Sequence, residues 1–79
     1  MVISVETLRA NREKRLTPRQ REVLQLLAEG RTMREAANVL HVTTRTIAFH
    51  KYTMMEAFGL KTNSDLFRFA IKEGVITAS

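Results

Sequence analysis

The sequence predicts an all-α fold, a compact four-helix domain with a central helix-turn-helix. Apolar residues recur at helical spacing in four segments, a threonine stands before each segment, and a glycine follows three of them. The only strand-like alternation, over residues 43–47, is brief and lies inside a better helical pattern. We therefore expect helices at about 18–29, 33–40, 44–58 and 63–73.

The first helix is predicted from a start signal at Thr17. Thr17 and Gln20 have the spacing of a T-x-x-Q capping box, and Pro18 occupies the first helical position, where its missing N–H costs nothing. Gly30 marks the end of the segment. The apolar residues between these signals are Val23, Leu24, Leu27 and Ala28.

The second helix repeats the same device, with Thr32 and Glu35 in a T-x-x-E capping box. It is barely two turns long, so packing rather than intrinsic propensity must stabilise it. Its apolar residues are Ala36, Ala37, Val39 and Leu40.

The third helix is predicted to start after the capping residue Thr43 and to end before Gly59, which supplies a left-handed residue. One stripe of this helix is expected to face the core, and His50 on it is expected to be a semi-buried residue rather than a metal ligand or catalyst. The stripe consists of Ile47, His50, Met54 and Phe58.

The fourth helix is predicted to begin at Thr62 or Asn63 and to be closed by Gly74. It carries more apolar residues than one core-facing side needs. If Leu66 and Ala70 point inward, Phe67 and Ile71 form a second stripe four positions apart.

Only His41, Val42 and Thr43 separate the second helix from the third, which is the spacing of a helix-turn-helix. Such a unit presents its second helix to the major groove of DNA. Ala37 is expected where the two helices cross most closely, and Ile47 to hold the second helix in place. His41 stands where the turn commonly needs a positive φ, which histidine tolerates better than a β-branched residue does.

The composition excludes several classes of protein. The 79 residues carry 13 Lys and Arg against 8 Asp and Glu, a net charge of +5 that favours polyanions. The absence of cysteine excludes disulfides and thiolate zinc sites, and no run of residues is long and apolar enough to span a membrane. No nucleophile–base pair or phosphate-binding glycine loop indicates an enzyme. We expect a cytoplasmic, non-enzymatic domain without cofactor or metal.

From Leu16 to Ile76 the sequence resembles the LuxR-type DNA-binding domain, also called the GerE or NarL/FixJ type. The run from Leu16 to Leu24 matches the family's L-T-x-R-E-x-E-V-L, except that Gln20 replaces the usual glutamate. The resemblance implies the output domain of a bacterial transcription regulator, such as a response regulator. Further residues in register with the family are Gly30, Glu35, Ala37, Leu40, Val42, Thr46, Ile47, His50, Lys51, Gly59 and Leu66.

The resemblance also implies that the third helix enters the major groove and meets base edges. The positions implied are Arg45, Ala48, Phe49 and Tyr52. The family often has lysine in place of Ala48 and a smaller or basic residue in place of Tyr52. Alanine and phenylalanine can meet a thymine methyl but cannot donate to guanine, so we expect A·T-leaning sites that depend partly on DNA shape. The alternative for Phe49 is shielding by a protein neighbour.

Phosphate contacts are expected at the N-termini of the second and third helices, where unpaired N–H groups favour an anion. The alternative for each basic residue is a solvated surface charge, and for Thr32 a capping role. The residues expected to contact phosphates are Thr32, Arg34, Thr44, Thr46 and Lys51, with Arg45 as a further candidate.

The family also implies a homodimer on DNA formed through the fourth helix, by Phe67 and Ile71. The alternative is that Phe67 packs beneath residues 1–15. Two other functions stay open: a protein-interaction module, and a domain similar to region four of a sigma factor, which would contact RNA polymerase.

Residues 1–15 are predicted to be a linker or N-terminal arm, and residues 16–79 the DNA-binding domain. Residues 9–21 hold almost half of the basic side chains. The family usually places this domain behind a receiver or a ligand-binding domain, so we expect an excised output domain, with a stand-alone small regulator as the alternative.

Overall fold

The computed structural model describes residues 15–77, and these form four α-helices without a strand, which confirms the predicted all-α class. The first and fourth helices each end one residue before the predicted position, because Glu29 and Glu73 are capping residues with ψ near 0° rather than helical residues. The helices are α1 Pro18–Ala28, α2 Met33–Leu40, α3 Thr44–Phe58 and α4 Asn63–Lys72.

A threonine caps the N-terminus of every one of these helices. Both capping boxes predicted from the sequence are present, at Thr17 and at Thr32. The fourth helix has a third box, in which Thr62 accepts from the N–H of Asp65 at 3.0 Å and Asp65 accepts from that of Thr62. Each box pairs N–H groups that the first helical turn otherwise leaves without a partner.

The turn between α2 and α3 is tight and left-handed at His41, whose φ is 57° and ψ is 43°. The N–H of Val42 donates to the carbonyl oxygen of Ala37 at 3.0 Å, which closes the turn. The predicted positive φ at His41 is therefore confirmed. This geometry brings α3 back against α2 within three residues.

Two clusters of buried side chains hold the helices together, with α1 contributing to both. The first joins α1, α2 and α3 around Ala37 and Ile47, as the sequence predicts. The second joins α1, α3 and α4 around Met54 and Ala70. The buried members are Val23, Ala36, Ala37 and Ile47 in the first cluster, and Leu24, Met54, Leu66 and Ala70 in the second.

Several predictions concern residues outside the described part of the chain. The predicted arm, apart from residue 15, and the last two residues of the predicted domain lie outside residues 15–77. The boundary at residue 16 therefore stays a prediction. Within residues 15–77 no helix has the length and apolar character that crossing a membrane requires.

Candidate nucleic-acid interface

The side of α3 opposite the core forms an open, largely apolar groove of about 680 Å³. All four residues expected to meet base edges line this groove, so the structure brings them together on one surface. Phe49 is half-buried with its ring edge against His50, at 5.4 Å between centroids, while Tyr52 is 56% exposed. The four are Arg45, Ala48, Phe49 and Tyr52.

Two further residues, Thr53 and Glu56, line the same groove. Sequence reasoning missed both, because it followed the family positions and stopped at Tyr52. The signal was available in the spacing: Thr53 and Glu56 stand four and seven positions after Phe49, which places them on the same helical face. We call the surface formed by these six residues, from Arg45 to Glu56, the outer face of α3.

The N-terminus of α3 is organised by threonine hydroxyls. Thr43 accepts from the N–H of Thr46 at 3.1 Å, and the two hydroxyl oxygens lie 3.0 Å apart. The hydroxyl of Thr46, an expected phosphate contact, is thus already engaged with the cap. Thr44 and Arg45 are exposed beside it.

A second groove, of about 410 Å³, lies on the flank of α3 and contains two of the expected phosphate contacts, Thr32 and Lys51. Arg31 and Asn63 also line it, and sequence reasoning missed both, although Arg31 directly precedes the cap of α2. Among the described residues that line it, none is acidic, so on these residues it is the more basic of the two grooves. We call it the flanking groove.

The remaining expected phosphate contacts lie apart from the flanking groove. Arg34 is exposed in the first turn of α2, where Thr32 accepts from the N–H of Glu35 at 3.1 Å. The hydroxyl of Thr32 therefore caps the helix, as its alternative interpretation had it. The ammonium of Lys51 lies 5.2 Å from the ring centre of Tyr52, a cation–π contact that links the flanking groove to the outer face.

The residues expected to form a dimer differ in exposure. Phe67 is 44% exposed and lines the flanking groove, as Lys51 does, whereas Ile71 is half-buried. Leu66 and Ala70 are buried, which confirms the predicted inward side of α4. A partner that covered Phe67 would therefore also approach Lys51.

Among residues 15–77, no group of acidic, histidine or cysteine side chains has the arrangement of a metal site. His50 is half-buried against Phe49 and faces neither groove, which agrees with its predicted semi-buried position.

A short helix, a left-handed three-residue turn and a second helix with an exposed outer face beside basic residues define a helix-turn-helix domain of the DNA-binding type. The chain belongs to the luxR family of bacterial regulatory proteins, which it matches over residues 14–70. Membership confirms the resemblance drawn from the sequence and the predicted class, a transcription regulator rather than an enzyme. It also favours this class over the sigma-factor alternative.

Three relatives show the same relationship. The chain is 34% identical to the transcriptional regulatory protein MctR of Rhizobium johnstonii, over 78% of its own length and 29% of MctR. It is 33% identical to the uncharacterized response regulatory protein YgeK of Escherichia coli, over 87% of its length and 47% of YgeK. It is 35% identical to the oxygen regulatory protein NreC of Staphylococcus aureus, over 77% of its length and 28% of NreC.

The chain thus spans less than half the length of these relatives, so its similarity to them covers one part of each. No solved structure matches the chain.

Proposed function

We propose that the chain is the output domain of a bacterial transcription regulator and binds double-stranded DNA with α3 in the major groove. The observation that carries the proposal is the exposure of apolar and aromatic side chains on the outer face of α3, directly opposite its buried side. An isolated domain has no use for such a surface in its own core, whereas the major groove accepts a helix of this width.

On the outer face of α3, methyl, aromatic and hydroxyl groups are the ones that would contact the bases. Ala48 and Phe49 offer apolar contact to thymine methyls, and the hydroxyl of Tyr52 can reach a base acceptor or a phosphate. Arg45, at the entrance of the groove, is the one side chain of the four that can donate two hydrogen bonds to guanine. We therefore propose A·T-leaning sites in which DNA shape adds to direct contacts.

Affinity is proposed to come from phosphate contacts on the margins of α3. Lys51 and the N-terminus of α2 share the flanking groove, so one run of phosphates can be met by both. Thr44 and Arg45 extend the contacts to the N-terminus of α3. Thr46 takes part through its hydroxyl alone, with the hydroxyl of Thr43 donating to it, because its N–H already donates to Thr43. Arg34 contributes a further positive charge in the first turn of α2.

We also propose that two copies bind one duplex through α4, which would place two α3 helices at neighbouring half-sites. The exposure of Phe67 supports this contact. A receiver or ligand-binding domain ahead of this chain, and RNA polymerase as a further partner, belong to the same proposal, since the relatives are longer regulatory proteins. We propose a cytoplasmic location for the chain, because its proposed target, bacterial DNA, lies in the cytoplasm.

Selection of bound sequences from random duplex DNA, followed by footprinting, tests the proposal. The expected result is enrichment of A·T-leaning sites with two protected half-sites. A selection with no enrichment would contradict sequence-specific binding, and G·C-rich sites with strong guanine dependence would contradict the proposed readout.

Salt dependence tests the phosphate contacts separately. Lys51→Ala is expected to weaken binding to all duplexes alike and to reduce the salt slope by about 1. Lys72→Ala is the matched control, since Lys72 lines neither the outer face nor the flanking groove. Equal salt slopes for Lys51→Ala and Lys72→Ala would show that Lys51 is not a phosphate contact.

Phe67→Asp tests the dimer contact by sedimentation on a two-half-site duplex. The variant is expected to bind as a monomer with its thermal unfolding temperature little changed, because Phe67 is already 44% exposed. A large fall in that temperature would instead indicate that Phe67 is part of the packed structure, as the alternative holds.

A further inference from the structure

The outer face of α3 carries opposite charges at its two ends. Arg45 lies in the first turn of the helix and Glu56 in the last, eleven positions further on. At 1.5 Å per residue the two side chains start about 16 Å apart. The apolar residues between them leave the groove basic at one end and acidic at the other.

Within residues 15–77, no side-chain hydrogen bond or ion pair explains a carboxylate at Glu56. Within residues 15–77 the ion pairs are Arg19 with Glu22 and Arg68 with Asp65, and neither includes Glu56. Its backbone carbonyl accepts from the N–H of Gly59 at the end of the helix, a bond that needs no side chain. The side chain is exposed and lines the groove, so its charge faces whatever the groove receives.

A carboxylate in the major groove weakens DNA binding unless it accepts a hydrogen bond from a base. The phosphates on both walls repel it, and it can only accept hydrogen bonds. Among base edges in this groove, the exocyclic amino groups of cytosine and adenine are the donors, and a carboxylate is the usual partner of the cytosine amino group. Sequences that offer no amino group there leave the charge unpaired.

We propose that Glu56 is a specificity-determining residue that accepts a hydrogen bond from the amino group of one cytosine. This inference rests on the proposed DNA binding through α3. Glu56 lies one turn beyond Tyr52, so the cytosine stands at the margin of each half-site, next to the A·T-leaning part that Phe49 meets. The same charge weakens binding to duplexes of unrelated sequence, so Glu56 widens the gap between specific and non-specific affinity.

The test compares Glu56→Ala and Glu56→Gln with the unaltered chain on three duplexes. These are the best selected site, the same site with the marginal cytosine replaced by thymine, and an unrelated sequence. Fluorescence anisotropy at two salt concentrations gives the dissociation constants. Glu73→Gln is the matched control, because it removes the same charge from an exposed residue after α4, outside the groove.

The unaltered chain is expected to prefer the cytosine duplex by about tenfold, and Glu56→Ala to lose that preference while binding the unrelated duplex several-fold more tightly. Glu56→Gln removes the charge but keeps an acceptor oxygen, so it is expected to retain part of the cytosine preference while binding the unrelated duplex more tightly. Glu73→Gln is expected to keep the cytosine preference.

Retention of the cytosine preference in Glu56→Ala would overturn the inference, as would a gain on unrelated DNA no larger than that of Glu73→Gln. Both results leave the proposed DNA binding intact. If the unaltered chain binds none of the three duplexes, the proposed function itself fails and the role of Glu56 fails with it.

Discussion

On the inward side of α3, Ile47 and Met54 are fully buried, while on the outer face Tyr52 is 56% exposed and Phe49 half-buried. Large apolar or aromatic side chains occupy both sides, so composition does not distinguish them. The inward residues meet side chains from α1, α2 and α4, whereas, within residues 15–77, the groove on the outer face is lined by α3 alone. Apolar residues without such neighbours are available for a partner.

The largest expected effect on stability comes from a substitution on the inward side of α3. Ile47→Ala is expected to lower the free energy of unfolding by about 2–5 kcal/mol, because it removes a fully buried side chain between α1 and α2. Tyr52→Ala, the matched change on the outer face, is expected to stay within about 0.5 kcal/mol and to weaken DNA binding instead. Urea denaturation of both variants measures the contrast, and equal losses would contradict it.

The next effect concerns the crossing of α2 and α3. Ala37→Leu is expected to cost about 1–3 kcal/mol, since Ala37 is 3% exposed and a larger side chain would push Ile47 away. Asn38→Leu, at the exposed neighbouring position, is the control and is expected to change stability little. If denaturation shows Ala37→Leu to be as stable as this control, the close crossing is not required.

A smaller effect is expected at the N-terminus of α3, where the inward side and the outer face begin. Thr43→Ala removes the hydroxyl that caps the helix and is expected to cost about 1 kcal/mol. Thr44→Ala removes an exposed hydroxyl that does not cap, so it is expected to leave the unfolding free energy unchanged. Thermal unfolding of Thr43→Ala and Thr44→Ala measures the two effects, and equal stability of the two variants would contradict the capping role of Thr43.

The smallest expected effect on stability comes from a charged side chain, that of Asp65, in contrast to the buried apolar side chains. The N–H of Lys61 and then the side chain of Arg68 hold the pKa of Asp65 below its ordinary value of 3.8. A carboxyl with a lowered folded-state pKa stabilises the fold above its unfolded pKa, and that contribution is lost as the pH falls through the folded value. Because Asp65 is only half-buried and its partner Arg68 is exposed, the change is expected to be slight.

Asp65→Asn is therefore expected to flatten the pH dependence of stability below about pH 4, where carboxyl groups titrate. Glu73→Gln, on a carboxyl with no ion pair in the described chain, is the control. Identical acid unfolding of Asp65→Asn and the unaltered chain would show that the contacts of Asp65 contribute nothing measurable.

The limits of the helices follow from short-range chemistry and were therefore predictable to within a residue. Thr32 and Glu35 meet across three positions, as do Thr17 and Gln20, so the caps can be found from the sequence alone. The positive φ of His41 was predictable for the same reason, since only three residues join α2 to α3. Val39 shows the limit of such reasoning, because it belongs to an apolar run and is nevertheless 46% exposed.

The candidate site was predictable only along one helix. Periodicity and resemblance together place Arg45, Phe49 and Tyr52 on one face, and the same periodicity would have extended that face to Glu56. The flanking groove was not predictable, because it joins residues from four separate helices or their caps. Lys51 and Phe67 both line it although sixteen positions separate them.

The sequence by itself determined the all-α class, the four helices, their caps and the helix-turn-helix, because each depends on contacts within a few residues. The tertiary structure alone decided which apolar side chains are buried and which line a groove. Burial depends on neighbours distant in the chain. Met54 packs with Leu24 and Leu66, while in the described part of the chain no other helix lines the groove at Tyr52. The net charge of +5 follows from the sequence alone. Only the packing of the helices brings Lys51 and Arg31 into the flanking groove and leaves Glu56 in the groove on the outer face of α3.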